Sequence, residues 1–321
     1  MYPASMKRDW HGKPYYSLDS YCKNTFHHKC YKIALNARMS CPNRDGTLGT
    51  QGCIFCSRGG SGDFAVDIAG KTMQEQITEG MAKFGSKATG QDLIAYFQAY
   101  TNTYASLPYL EEVYRSALNH PDVCGISIAT RPDCLGTEVL DLLTKLRGEY
   151  PDKFLWIELG LQTIHEDTAH YIRRGYPLSC FEKACADLKA LQIPFIVHTI
   201  LGLPGETDIQ VLQTMDYLNR IQPFGIKLQL LHVLKDTDLA DDYLAGKFQV
   251  LTFDAYIDLV ISCLAHLSPD IVIHRVTGDG PKNLLIAPTW SMDKRGVLNE
   301  LHHRMKKQGI RQGDLFEKDN Y

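Results

Sequence analysis

The sequence predicts an α/β protein built on a parallel sheet. Three observations carry this reading. Short apolar strands alternate with longer stretches of helical periodicity from about residue 30 to residue 307. Polar and glycine-containing segments fall at the carboxyl ends of the strands. A loop bearing three cysteines directly follows the first strand. Repeated strand–helix units require parallel pairing and right-handed crossovers. Six or seven units fit a doubly wound sheet or a barrel, complete or partial, and in each case ligands gather beyond the carboxyl ends of the strands.

The elements follow in order. Residues 1–29 are polar and aromatic and read as an irregular segment packed on a larger body. Cys30–Arg38 alternates apolar and polar residues, as a half-buried strand does. Met73, Ile77, Met81 and Phe84 fall on one face of a helix. Strand–helix pairs are then expected at Asp92–Ala99 and Tyr109–Asn119, at Val123–Ala129 and Thr137–Glu149, and at Phe154–Leu161 with helical material from Glu166 to Leu191. Pro194–Leu201 precedes a helix opening near Glu206. Gly225–Val233 is a sixth strand, followed by helical patterns at Thr237–Ala245 and Thr252–Leu267. Asp270–Val276 is a seventh strand, and Lys294–Lys307 a closing helix.

Composition excludes several classes. The 321 residues are 44% hydrophobic and 22% charged, with net charge −3, an ordinary globular balance rather than a polycation. Nucleic-acid contact would have to come from local basic patches. No apolar run is long enough for a membrane span, and the first residues lack the apolar core of a signal peptide, so a cytoplasmic setting is expected. No second domain, solenoid repeat or low-complexity linker is visible.

The loop Cys41-Pro-Asn-Arg-Asp-Gly-Thr-Leu-Gly-Thr-Gln-Gly-Cys53-Ile-Phe-Cys56 has the spacing C-x11-C-x2-C. Two residues between Cys53 and Cys56 let both thiolates reach one metal centre, and Gly46, Gly49 and Gly52 allow tight turns. A zinc site would need a fourth ligand, and no second C-x2-C follows. Disulfides would leave one of the three cysteines over and need an oxidising compartment. A [4Fe–4S] cluster on three cysteines leaves one iron open for a substrate or cofactor. Glu158 stands in an apolar strand, where an unpaired carboxylate is costly, so a partner or ligand is expected.

Several stretches in order resemble one family. Cys-Pro-Asn-Arg-Asp-Gly with Gly-Cys-x-Phe-Cys, Thr130-Arg-Pro-Asp133, Glu158-Leu-Gly-Leu-Gln162, Arg173-Arg-Gly175, His198 with Gly202-Leu-Pro-Gly-Glu206, and Lys227-Leu-x4-Val-Leu-x-Asp-Thr-Asp-Leu239 are similar to the YhcC/YtqA-like branch of the radical S-adenosylmethionine (SAM) superfamily. They also resemble the radical SAM half of the elongator catalytic subunit. The gap between the first two cysteines departs from the usual C-x3-C-x2-C. The resemblance covers about residues 15–310. It implies a single domain over 1–321: a partial (βα)6-type TIM barrel, with residues 1–29 as an N-terminal extension, 30–235 as the core, and 236–321 as a C-terminal extension completing the barrel.

It also implies chemistry. Cys41, Cys53 and Cys56 would ligate the [4Fe–4S] cluster, whose open iron takes the amino and carboxylate groups of SAM. Reductive cleavage then yields a 5′-deoxyadenosyl radical. Thr101, Asn102 and Thr103 stand where the superfamily binds the methionine amino group. Glu158 and Gln162 would meet ribose hydroxyls or substrate, and Arg173 or Arg174 the methionine carboxylate. Gly202 and Pro204 would approach the adenine, with Phe55 stacking on it. His198, His232, Arg275 and Asp279 are substrate candidates. The implied partners are tRNA and an external flavodoxin- or ferredoxin-type donor, and the implied substrate is a wobble uridine whose carboxymethylaminomethyl group is trimmed to aminomethyl. Basic residues at Lys294, Arg295, Arg304, Lys306, Lys307 and Arg311, and near the N-terminus, fit phosphate contact. The alternative is a radical SAM enzyme acting on a small molecule or a protein.

Overall fold

A computed structural model describes residues 8–317 other than 61, 64, 66–69, 85–92 and 279. Seven parallel strands form one sheet: β1 (Tyr31–Leu35), β2 (Leu93–Phe97), β3 (Val123–Thr130), β4 (Phe154–Gln162), β5 (Phe195–Leu201), β6 (Gly225–Leu230) and, after a two-residue strand β7 (Val233–Leu234), β8 (Val272–Arg275). Their order in the sheet, β1-β2-β3-β4-β5-β6-β8, never reverses. A doubly wound sheet would reverse at a switch point. Here every crossover runs the same way, so the helices collect on one face and the sheet curls into a half-barrel.

The crossover helices are α2 (Met73–Ala82), α3 (Leu107–Leu118), α4 (Thr137–Glu149), the pair α5 (Glu166–Tyr171) and α6 (Leu178–Ala190), and α7 (Asp208–Ile221). Further on come α8 (Asp238–Leu244), α9 (Phe253–His266) and α10 (Lys294–Gln308). Their starts are capped by the residue types that favour this. Thr72 and Thr207 each form a capping box, with Glu75 and Gln210. Between sheet and helices lies the main apolar layer, including Leu35, Phe97, Ile126, Ile157, Val197 and Leu228 from the strands.

The structure differs from the expected elements in two places. The segment read as irregular contains a helix, α1 (Leu18–Phe26), N-capped by Ser17. It is short, and only Ser20, Tyr21 and Cys22 are buried, so it leaves no clear apolar period. The sixth strand ends at Leu230 rather than Val233; Val233–Leu234 turns away and pairs antiparallel with β9 (Leu285–Ala287). The N-terminal segment runs along the outer edge of β8, where Ile273 N–H donates to the Tyr16 carbonyl at 2.8 Å. Below the sheet's amino ends, Tyr21 sits within ring-contact distance of Phe26, Trp156 and Phe224 and stops the half-barrel from beneath. Among the described residues no helix is long and apolar enough to cross a membrane.

Candidate active site

The period of two along each strand decides what faces the interior. Helix-facing positions are aliphatic or aromatic except for the buried Thr130 and Thr199. The opposite set forms layers up the inside of the half-barrel. The lowest is apolar, with Ile94, Trp156, Ile196 and Val272 packed on Tyr16, Tyr21 and Cys22. Two residues further along come Lys32, Tyr96, Ser127, Glu158, His198 and Lys227, one from each of six strands. Above these, Gln98, Ala129, Gly160, Ile200 and Gln229 line a cavity of about 260 Å³.

Glu158 is the hub of the charged layer. Its side chain is fully buried. One carboxylate oxygen accepts from Lys32 Nζ and Ser127 Oγ, each at 2.6 Å. The other accepts from His198 Nε2 at 2.6 Å and from Lys227 Nζ. Lys227 also donates to the Tyr96 hydroxyl at 3.0 Å. Burial works against ionisation of Glu158, but the nearby Lys227 and Lys32 and the His198 hydrogen bond outweigh it and hold the carboxyl well below its usual range. Burial, reinforced by Lys227, pushes His198 down to about 4 against the pull of Glu158. His198 is therefore a neutral imidazole with its proton on Nε2. Burial likewise lowers Lys227 well below its ordinary value, with Lys32 and Arg275 adding to this and Glu158 opposing it.

The cavity's rim is the cysteine loop. Turn hydrogen bonds fold it on itself: Gly52 N–H donates to Asn43 O at 2.7 Å and Cys56 N–H to Cys53 O at 2.9 Å. The Arg44 guanidinium clamps it from inside, donating to the carbonyls of Cys56 at 2.8 Å and Ser57 at 2.6 Å. Gly52 has φ +77°, and a Cβ there would fall 2.8 Å from Arg44 Nε, so this turn needs glycine. Cys41, Cys53 and Cys56 all line the one cavity. Among the described residues no three His, Cys, Asp or Glu side chains converge on a single-ion site. Burial, with Cys56 adding to it, pushes the Cys53 thiol up to about 12 although Arg131 opposes this. Thiolates here require a cationic centre in contact with them, and three thiols around a common cavity suit a cluster.

The remaining sequence candidates divide by position. Phe55, Thr101, Glu158, Gln162, Arg174, His198, His232 and Arg275 line the cavity. The hydroxyl of Thr101 is buried with no hydrogen-bond partner, an orphan that a ligand would satisfy. Asn102 and Thr103 stand behind it. Asn102 Nδ2 donates to the carbonyls of Phe97 and Ala129, and the Thr103 hydroxyl meets Thr130 and Cys134 O. Both lock the loop after β2 rather than face the cavity. Arg174 is 2% exposed, and its guanidinium is committed to the carbonyls of Leu161, Thr163 and Tyr176 and to Glu166. Arg173 turns outward to Gln51 and Asp238 and is not a lining residue. Gly202 and Pro204 are not lining residues either; Gly202, at φ +83°, packs against Leu251. His232 Nε2 meets Ser291 Oγ at 3.1 Å, and Asp279 lies outside the described residues.

Lys32, expected to belong to the N-terminal basic region for phosphate contact, is instead turned inward onto Glu158. Ser127 and Tyr176 were not singled out from the sequence, and Arg131 stood only within the Thr130–Asp133 motif. Arg131 chelates Asp133 and lies 4.8 Å from the Tyr176 ring, beneath the cysteines. The usable signal was charge inside apolar strands: Lys32 and Lys227 interrupt aliphatic runs at inward positions.

A parallel half-barrel with a cysteine loop above its first strand is the architecture of an enzyme that works by SAM-derived radicals. The chain belongs to the radical SAM superfamily: residues 46–218 match the Radical SAM superfamily and residues 223–307 the Radical_SAM C-terminal domain. The first match includes Cys53 and Cys56 but begins after Cys41. The chain is similar to the uncharacterized protein YtqA of Bacillus subtilis, 40% identical over 95% of this chain and 94% of that one. Elongator complex protein 3 of Bos taurus is 27% identical over 67% of this chain, which spans 37% of that protein. Among solved structures, the archaeal Methanocaldococcus infernus Elp3 with its N-terminus deleted superposes with a TM-score of 0.66 at 15% identity. It covers 88% of this chain, which spans 64% of it, and shows the fold alone. The cofactors of the superfamily are a [4Fe–4S] cluster and SAM.

Proposed function

We propose that this enzyme modifies tRNA, trimming the carboxymethylaminomethyl group at C5 of a wobble uridine to aminomethyl. The observation that carries the reading is the single cavity running from the three thiols at the rim to the charged layer at the floor. Among the described residues its lining holds Arg44, Arg131, Arg174 and Arg275 against Asp63 and Glu158. Such a chamber suits a polar, anionic substrate brought under the cysteine loop. The 27% identity to an elongator subunit supports the nucleic-acid side of the proposal.

In this reading Cys41, Cys53 and Cys56 hold the cluster. When bound, cluster and SAM supply reductive cleavage of the sulfonium and abstraction of a hydrogen atom from the substrate. The chain's own residues position and exclude water. Phe55 offers a ring beside the cysteines, and the orphan hydroxyl of Thr101 offers a hydrogen bond. Gln162, at φ +61° just past a register shift in β4, is turned into the cavity. The carbon between nitrogen and carboxylate is a good hydrogen donor. Loss of a hydrogen atom and then of one electron, which would replace the electron spent on SAM, would give an imine. Water would hydrolyse it, releasing the two carbons as glyoxylate and leaving the amine on the uridine. A cytosolic flavodoxin- or ferredoxin-type protein would supply electrons.

The terminal basic residues contribute less than their number suggests. Arg304 is paired with Glu300, Asp254 and Asp258, and Lys13 and Lys23 share Asp19. Arg295, Lys306 and Lys307 of α10 stay exposed. Most of the support therefore lies in the cavity.

The test is an anaerobic reaction of cluster-reconstituted protein with SAM, dithionite and tRNA from cells lacking this gene. 5′-Deoxyadenosine and digested nucleosides are followed by mass spectrometry. A shift from carboxymethylaminomethyl- to aminomethyluridine is expected. 5′-Deoxyadenosine with every nucleoside unchanged would refute the tRNA reading and favour a small-molecule or protein substrate.

A further inference from the structure

The charges on the cavity floor do not balance. Glu158 accepts from Lys32, Lys227, Ser127 and His198, and these four donors occupy both its oxygens. Arg275 closes β8 directly opposite Lys227 in the sheet register. It lines the cavity and is half-buried. Yet among the described residues its guanidinium has no hydrogen bond and no ion pair, while every other arginine lining the cavity is committed. Arg44 holds loop carbonyls, Arg131 holds Asp133, and Arg174 holds Glu166. Among the described residues, one carboxylate thus faces Lys32, Lys227 and Arg275 at the floor, and Arg275 is the group it does not engage. Arginine does not lose its proton, so among the described residues the Arg275 guanidinium keeps a charge that an entering anion would meet.

Two chemistries would meet it, a carboxylate or a phosphate, since both accept the paired donors of a guanidinium. The depth of the site decides between them. Arg275 belongs to the strand-built floor, at the opposite end of the cavity from the cysteine rim where the cluster and SAM would sit. Backbone phosphates stay at the mouth, and what reaches the floor is the tip of a substituent.

We propose that Arg275, backed by Lys227 and Lys32, is the receptor for a carboxylate at the end of the substrate's side chain, so that this enzyme selects acidic, amino-acid-like substituents over their neutral counterparts. The proposal rests on the uridine reading and names the part of the substrate that the floor recognises. Glu158 serves as a positioning residue, holding the two lysines on the inner face.

The test measures binding, with SAM and the cluster in place. Two fluorescent anticodon stem-loops are compared by anisotropy, one with carboxymethylaminomethyluridine and one with the corresponding carboxamide. Wild-type protein is expected to bind the acid at least about tenfold more tightly, a ratio worth about 1.4 kcal/mol. Arg275→Gln should bring the ratio to about one, and Arg275→Lys should restore part of it. A ratio read within each variant is insensitive to a general loss of affinity. Equal binding of both stem-loops by wild type overturns the carboxylate receptor and leaves the RNA reading standing. If neither stem-loop binds, the RNA reading falls, and a thermal-shift arm without RNA decides the receptor. A rise in melting temperature with iminodiacetate, lost in Arg275→Gln, upholds it. No rise, or a rise with inorganic phosphate alone, overturns it.

Discussion

The two faces of the same seven strands have opposite chemistry. On the helix side β2 presents Leu93, Ala95 and Phe97, and β4 presents Leu155, Ile157 and Leu159, all buried in one apolar layer. On the inner side the same strands present Tyr96 and Glu158 within a charged network. Burial on the first face stabilises the fold at about 25 cal/mol per Å². Burial on the second opposes it, because charges leave water and are only partly compensated. Above the apolar inner layer of Ile94, Trp156, Ile196 and Val272, this protein keeps its apolar packing and its charged groups one residue apart along each strand. An outer-face change should cost stability and leave the chemistry of folded molecules intact, and a change in the charged inner layer should alter both or the chemistry alone.

The largest effect is expected at the rim. Cys41→Ala should abolish 5′-deoxyadenosine formation and bring bound iron and the cluster's visible absorption to background, with helical circular dichroism retained. Cys41 sits on a loop outside both layers, so its loss removes no core contact. Collapse of the fold in Cys41→Ala would contradict the separation.

Next comes a matched pair across one sheet. Glu158→Ala leaves Lys32 and Lys227 buried without their carboxylate and should cost about 3–5 kcal/mol. Phe97→Ala on the outer face of β2 should cost a similar ~3–5 kcal/mol by leaving a cavity. Denaturant titration would show both losses. Turnover per intact cluster separates them: it should survive Phe97→Ala and fall in Glu158→Ala. Equal turnover losses would mean that the two faces are mechanically coupled.

Acid should act on the inner face. Burial brings His198 and His232 each to about 4, from 6.5 in an unfolded chain. Between these values the unfolded chain binds more protons than the folded one, so stability rises with pH across that window. Above about 6.5 the two groups contribute no slope. Stability should therefore fall as pH drops from about 6.5 towards 4. Double replacement by glutamine should lessen the slope of unfolding free energy against pH over that interval, the remainder coming from His274 and His302, which burial also lowers; an unchanged slope would place His198 and His232 outside the response.

Much of this arrangement was readable in the residues. Period-two strands and helical periods are local, so the expected strand Phe154–Leu161 and helix Thr137–Glu149 lie within a residue of those observed. The need of Glu158 for a partner followed from one carboxylate in an apolar strand. Which groups answer it did not follow, because Lys32, Ser127, His198 and Lys227 are brought to it by the curl and register of four other strands. Arg173 and Arg174 look alike in sequence, yet Arg173 adopts φ +55° at the helix end and the two side chains part, one to Asp238 and one inward. Residues 18–26 form a helix because Ser17 caps it and Tyr21 finds a ring cluster below the sheet, contacts that no local pattern announces.

The smallest effect expected is also the finest test of the separation. Thr207 caps α7 directly after the turn Gly202–Glu206 at the carboxyl end of β5. Its hydroxyl accepts from Gln210 N–H at 3.4 Å, and Gln210 Oε1 accepts from Thr207 N–H at 3.0 Å. The helix then buries Val211, Met215 and Leu218 in the outer layer. Thr207→Ala removes one half of the box and should cost about 0.5–2 kcal/mol. Because α7 belongs to the outer layer and Gly202 and Pro204 do not line the cavity, SAM affinity should not change. A lower melting temperature with unchanged SAM affinity keeps that turn on the structural side. Weaker SAM binding at an unchanged melting temperature would instead put the turn after β5 into the site, and the boundary between the two faces would have to be redrawn there.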